Sequence, residues 1–336
     1  MQRVGGLFLL ILLIAGVLFS ISCNSCQTNK YTVLSEEPYR QVSPEFNADS
    51  AYSFVEKQVA FGPRVPGSTA HKACGDYLVA KLADFGAGVI EQEAEITHYN
   101  GENLQIRNII GRFYPENEKR ILLFAHWDTR PFADEESESG RQLQPISGAD
   151  DGASGVGVLL EIARNLQRQP PEVGVDIIFF DLEDWGQPSF NADWVPGEWW
   201  CLGSQYWSEQ PHVENYKAEY GILLDMVGAA NATFLKEGYS VKYAPEVINK
   251  VWSTAAKLGY VNHFLPKSGG YITDDHVAVN QHHRAPSINI INLKTDTHTG
   301  FAPHWHTHGD DMRNIDRSSL KVAGQTVMEV VYSEGL

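Results

Sequence analysis

Apolar positions along this chain follow two alternating rhythms. Helical spacing runs through residues 47–60, with Phe54, Val55 and Val59, and through 69–85, with Ala73, Tyr77, Leu78 and Leu82, and stops at Gly86. Residues 89–96, 104–113 and 120–125 read as strands. A helix is predicted over 153–166 behind a glycine-rich turn, and further helices over 245–258 and 315–331. Residues 175–180 and 221–224 are short, nearly continuous apolar runs, the pattern of strands covered on both faces, and 286–293 reads as a last strand. Neither a repeat nor an internal linker interrupts residues 46–336. The alternation predicts one α/β domain, a three-layer sandwich with a central mixed, mostly parallel twisted sheet and helices on both faces.

Residues 1–22 read as an address rather than as fold. Arg3 precedes a nearly pure apolar run over 7–19, followed by Ser20-Ile21-Ser22-Cys23. The run is short for a membrane span and fits a signal peptide of lipoprotein type, with Cys23 as the lipid-bearing residue. Export to the cell envelope or periplasm is expected, with membrane contact only through that anchor. Residues 23–45 are polar, contain Pro38 and Pro44, and read as a flexible tether. Of the four cysteines, Cys23 and Cys26 fall in this region; Cys74 and Cys201 read as two lone buried thiols. The balance of 26 Lys and Arg against 42 Asp and Glu gives a formal charge of −16. That argues against nucleic acid as a partner, since such binding needs a cationic surface.

Ligands of an open α/β sheet bind beyond the carboxyl ends of its strands. In this chain those ends carry the same chemistry repeatedly. Strand 120–125 runs into His126-Trp127-Asp128, and the next turn reads Gly148-Ala149-Asp150-Asp151-Gly152. Strand 175–180 runs into Asp181-Leu182-Glu183-Asp184, and strand 221–224 into Asp225. Beyond the last strand lies Phe301-Ala302-Pro303-His304-Trp305-His306. Gathered carboxylates repel, and a divalent cation is the simplest means of holding them. Carboxylate oxygens with imidazole nitrogen suit zinc. Two loops break the compact pattern. Residues 131–148 are acidic (Asp134, Glu135, Glu136, Glu138) and read as a solvated surface loop. Residues 185–200 hold Trp185, Trp194, Trp199 and Trp200, costly rings to leave in water, and are expected to wall a pocket.

These residues resemble a known set. Gly-Pro-Arg-Val-Pro-Gly at 62–67, Ala-His-Trp-Asp at 125–128, Gly-Ala-Asp-Asp-Gly-Ala-Ser-Gly at 148–155, Phe-Phe-Asp-Leu-Glu-Asp at 179–184 and Leu-Leu-Asp-Met at 223–226 resemble the M28 zinc aminopeptidase superfamily over most of 45–336. Within it the chain looks most like the bacterial glutaminyl-peptide cyclotransferases. Asp274-Asp275-His276, Trp305-His306-Thr307 and Trp194-Val195-Pro196 carry that narrower likeness.

The resemblance implies one zinc per chain, with Asp151, Asp184 and His306 as ligands. Asp150 is the alternative in the helix-opening turn, and Asp151 takes the ligand position of the shared motif. It implies Glu183 as general acid and base, Asp225 and Asp274 as a hydrogen-bonded acidic pair, and Trp194, Phe301 and Trp305 as the substrate pocket. The implied substrates are peptides or proteins with N-terminal glutamine, cyclised to pyroglutamate by a monomer. Asp184 stands where many relatives have Glu, and Asn289 where the cyclases often have His, which puts one outer hydrogen bond in doubt. His126 is expected to orient the acidic cluster by a hydrogen bond, His276 to partner Asp275, and Trp127 to pack in the core. Whether His126 and Asp225 hold a second ion stays open. An M28-type zinc aminopeptidase is the alternative enzyme, and an envelope binding protein without zinc the alternative outside catalysis.

Overall fold

The computed structural model describes residues 39–335. The expected signal peptide, the Cys23 anchor and the tether up to residue 38 lie outside the described residues. Residues 39–45, also expected in the tether, are fastened down: Tyr39 Oη, Val42 N and Ser43 N all donate to the Glu329 carboxylate. Residues 39–45 therefore belong with the folded unit.

Among the described residues, eight strands follow in chain order: β1 Gly88–Thr97, β2 Asn103–Phe113, β3 Arg120–His126, β4 Gly174–Phe180, β5 Tyr220–Asp225, β6 Phe234–Lys236, β7 Phe264–Ser268 and β8 Ser287–Ile291. The α-helices are α1 Ala48–Val59, α2 Thr69–Asp84, α3 Ser139–Gln142, α4 Ala153–Arg168, α5 Leu202–Glu209, α6 Gly238–Tyr243, α7 Pro245–Lys257, α8 Asp275–Gln281 and α9 Arg317–Tyr332. Six strands form the main sheet in the order β1-β2-β4-β3-β5-β8. The two pairings at the β1 edge are antiparallel, and the three among β4, β3, β5 and β8 are parallel. The mixed, mostly parallel sheet expected from the sequence is thus present.

Strand β3 is buried along its whole length because both faces are covered. Ile121, Leu123 and Ala125 join a core with Val55, Leu78, Leu159, Val251 and Val327 of α1, α2, α4, α7 and α9. Leu122 and Phe124 face the other way, with Trp207 of α5 and Val279 of α8. The parallel strands point their carboxyl ends to one rim. Helix α4 is drawn tightly onto that rim, since a Cβ on Gly155 would lie 2.1 Å from the Leu224 carbonyl oxygen.

The elements missed from the sequence are short: α3, α5, α6, α8, β6 and β7. They matter here because the segments leading into α5 and α8 supply Trp200 and residues 271–274 of the cavity wall.

Candidate active site

Three strand ends, one turn and one loop deliver the cluster. His126 ends β3, Glu183 and Asp184 follow β4, Asp225 ends β5, and Asp151 sits in the turn that opens α4. His306 comes from the long loop after β8, in the left-handed region at φ 53°. Gly152, the cap of α4, holds φ 89°, and a Cβ there would lie 2.9 Å from the Asp128 carbonyl oxygen. Only glycine fits that turn comfortably.

Asp151, Asp184 and His306 each place a ligand atom so that all lie within 4.8 Å of one another. His306 Nε2 stands 3.2 Å from Asp184 Oδ1 and 3.6 Å from Asp151 Oδ2. Asp184 Oδ2 is buried with no partner, a lone pair that demands one. Two carboxylates and an imidazole nitrogen fit zinc as a catalytic, incompletely protein-ligated ion. The other Asp151 oxygen lies 3.0 Å from His126 Nε2, which is also 3.3 Å from Asp225 Oδ1. His126, Asp151 and Asp225 form a second close group. His126 thus ties the acidic cluster together, as expected.

Aspartates that the sequence reading passed over set this geometry. Asp134 accepts from Arg130 at 2.9 and 2.6 Å and stands 3.1 Å from His306 Nδ1, which turns Nε2 toward the cluster. Burial would raise its pKa, but Arg130 and His306 hold it well below the usual carboxylate range. The 131–148 segment is therefore no mere solvated loop: Asp134 is buried in the site. Asp128 accepts from Glu183 N at 3.1 Å and Asp184 N at 3.2 Å, fixing both backbones. Asp310 does the same for Asp150 N at 2.7 Å and Asp151 N at 3.1 Å. Asp128 was visible in the Ala-His-Trp-Asp motif; Asp134 and Asp310 had no local signal.

Burial, together with the charges of Asp274, Asp184 and Asp275, pushes Glu183 well above the ordinary glutamate value. Asp225 and Asp274 are each pushed up to about 7, first by burial, then by neighbouring carboxylates. These two, expected to hydrogen-bond to each other, are held by different partners. His126 holds Asp225, while Asp274 accepts from Asp275 N at 2.7 Å and from Asn289 Nδ2 at 2.5 Å. Asn289 thus supplies an outer hydrogen bond that its identity had put in doubt.

A cavity of about 240 Å³ opens over the cluster, lined by Asp151, Glu183, Asp184, Asp225, Asp274 and His306 on one side. Trp200, Trp305, Phe301, Tyr271, Ile272, Ile291 and Met226 are among its other walls. Trp305 stacks on His306 at 3.7 Å between centroids, and Trp200 lies parallel to the same ring at 6.1 Å. Phe301 and Trp305 stand where they were expected. Trp194 does not: it is 64 % exposed and absent from the lining. Of the four loop tryptophans only Trp200 walls the cavity; Trp185 packs in a satellite core beside Leu182 and Leu202. Trp127 is buried and stacks on His71, as expected of core. Cys74 and Cys201 are free and buried, also as expected.

The far wall hangs on a buried carboxylate. Glu237 accepts from Tyr239 N, Ser240 N and Ile272 N, and its Oε2 lies 3.0 Å from His276 Nε2. His276 therefore partners Glu237 and not Asp275. Burial would raise Glu237, but His276 and the Ser240 donors outweigh it and hold the pKa at about 2. A depressed carboxylate stabilises the fold above its unfolded pKa, and that stability is lost as pH falls from about 4.5 to about 2. Glu237→Gln should lower unfolding free energy at neutral pH by about 3 kcal/mol. The gap to wild type should narrow as pH falls below about 4.5. Chemical denaturation at pH 7 and again at acid pH measures both.

Residues 108–331 match the profile of peptidase family M28. The chain belongs to that family. A protein of solved structure, a Zn-dependent exopeptidase from Parabacteroides distasonis, is 57 % identical with TM-score 0.86, covering 87 % of this chain and 100 % of that one. A glutaminyl cyclase from Tannerella forsythia is 55 % identical with TM-score 0.85, over the same shares. Aminopeptidase YwaD from Bacillus subtilis is 28 % identical over 283 residues, and this chain spans 54 % of that relative's length.

Proposed function

We propose that this M28 chain is a glutaminyl-peptide cyclotransferase. It converts the N-terminal glutamine of peptides or proteins to pyroglutamate and releases ammonia. Asp151, Asp184 and His306 would hold one zinc per chain. The observation that carries this reading is a small ring-lined cavity in which Glu183 and Asp274 stand directly beside the three-donor cluster. Likeness at 55 % identity to a glutaminyl cyclase supports it.

Zinc bound there supplies a Lewis acid for the γ-carbonyl oxygen. The α-amine and the γ-carboxamide belong to one residue, so the cavity has only to hold the side chain folded back. Trp305, Trp200 and Phe301 would press it into that shape and keep water, the rival nucleophile, out. Glu183 takes a proton from the attacking amine as the new C–N bond forms, and delivers it to the amide nitrogen as that C–N bond breaks. Ammonia leaves, and no proton is gained or lost overall. Asp274, fixed by Asn289, and Asp225, fixed by His126, hold the proton network around Glu183. The apolar run at 7–19 and Cys23 support export and lipid attachment as part of the same reading.

A two-metal aminopeptidase is the second reading, favoured by the His126, Asp151 and Asp225 group. A mass spectrum of a Gln-initiated peptide after incubation separates the two. The expected result is loss of one ammonia, abolished by a chelator. Hydrolysis of an aminoacyl amide without ring closure would sink the cyclase reading.

A further inference from the structure

We propose that Cys201 is a positioning residue for Glu183: its thiol donates a hydrogen bond to one carboxylate oxygen and so aims the other at the substrate. The inference rests on the reading of Glu183 as the group that moves the proton.

Cys201 Sγ lies 3.1 Å from Glu183 Oε1. Among the described residues, it is the one donor hydrogen-bonded to that side chain. The two residues are also tied through the backbone. Cys201 N donates to the Glu183 carbonyl at 2.9 Å, Leu202 N to Leu182 at 2.9 Å, and Gly203 N to Asp181 at 3.0 Å. This three-rung zipper lays the segment before α5 along the chain that leaves β4. It holds Cys201 at φ 57°, a left-handed conformation that a residue with a Cβ adopts only at a cost of about 1–2 kcal/mol. The thiol is thus delivered to Glu183 by a fixed backbone, not by a freely chosen rotamer.

The surroundings keep it a donor. Cys201 is 3 % exposed. Burial, with the carboxylates of Glu183, Asp275 and Asp274, pushes the thiol well above its ordinary value, so the proton stays on sulfur. That sets aside the thiolate role of nucleophile. What remains is a weak S–H donor facing a carboxylate. Weakness suits the task. A strong donor such as an ammonium would hold the carboxylate equally well but would lower its basicity. With Oε1 so held, the second oxygen is left to the cavity that Glu183 lines.

The test is steady-state cyclisation of a Gln-initiated peptide by Cys201→Gly, Cys201→Ala and Cys201→Ser, with zinc content measured on each protein. Glycine accepts the left-handed backbone without strain, so this variant folds even where alanine does not. Loss of one hydrogen bond to a reacting group should lower kcat about tenfold in the Gly and Ala variants, with KM within about twofold. Zinc should stay at the wild-type level. Serine, which restores a donor, should return kcat to within about threefold of wild type. In a Glu183→Gln background, Cys201→Ala should cost nothing further. The proposal is overturned if Gly and Ala keep wild-type kcat, if Ser is as impaired as Ala, or if KM or zinc changes instead. If Glu183→Gln alone turns over normally, the reading of Glu183 has failed, and the inference falls with it for that separate reason.

Discussion

Replacing Glu183 by glutamine should lower kcat for pyroglutamate formation by about 10³-fold and leave the zinc content unchanged. The amide keeps the size of the carboxylate and its acceptor oxygen toward Cys201. It cannot take up a proton at any working pH. Nothing else in the cavity substitutes without rearrangement, since Asp225 and Asp274 are each bound to other partners. Zinc should stay because Glu183 does not belong to the group formed by Asp151, Asp184 and His306. Its backbone is held independently, through Asp128 and Cys201 N. Plasma emission spectrometry on the purified variant, beside the peptide assay, reads both quantities. Loss of zinc would mean that base and ligand have been exchanged in the assignment of the Glu183-Asp184 pair.

The strand-end chemistry was legible in the sequence because each strand of the parallel core is a short apolar run. Its end is therefore marked by the first charged residue. His126 and Asp225 stand at such ends, Asp184 follows three residues after Asp181, and the structure brings them to one rim with Asp151 and His306. What could not be read is the layer that aims them. Asp134 looked like one acid among several in a polar loop, and only the fold places it against His306 and Arg130. The tryptophan loop misled for a related reason. Composition says that four rings need cover but not which ring points where, and the backbone sends Trp200 into the cavity and leaves Trp194 outside. Helices α5 and α8 are too short to show a helical period, so the sequence showed Cys201 as a buried thiol but not its place at the start of one, beside Glu183.

The helix-opening turn offers two adjacent aspartates, and the structure separates their duties. Asp150 Oδ1 accepts from Gly228 N at 2.8 Å and Ala229 N at 3.1 Å, and its Oδ2 lies 3.1 Å from His304 Nε2. Its carboxylate is consumed in pinning the loop after β5 and the loop that carries His306. Asp151 instead faces the two imidazoles, one oxygen toward His126 and the other toward His306. Asp151→Asn should therefore reduce bound zinc to background and turnover by at least ~10³-fold, since a Lewis acid supplies several kcal/mol to such a reaction. Asp150→Asn should keep its zinc and lose stability. A bound ion stabilises the fold that binds it, so chelation should lower the melting temperature of the wild type and of Asp150→Asn. Chelation should leave Asp151→Asn unmoved. Full zinc in Asp151→Asn, or zinc lost from Asp150→Asn alone, would transfer the ligand role to the neighbour. The electrostatic reason for expecting otherwise is direct. Asp184 and His306 stand 3.2 Å apart, and Asp151 supplies the second carboxylate on the metal side of the cluster, so neutralising it removes half of the negative charge that draws the cation in.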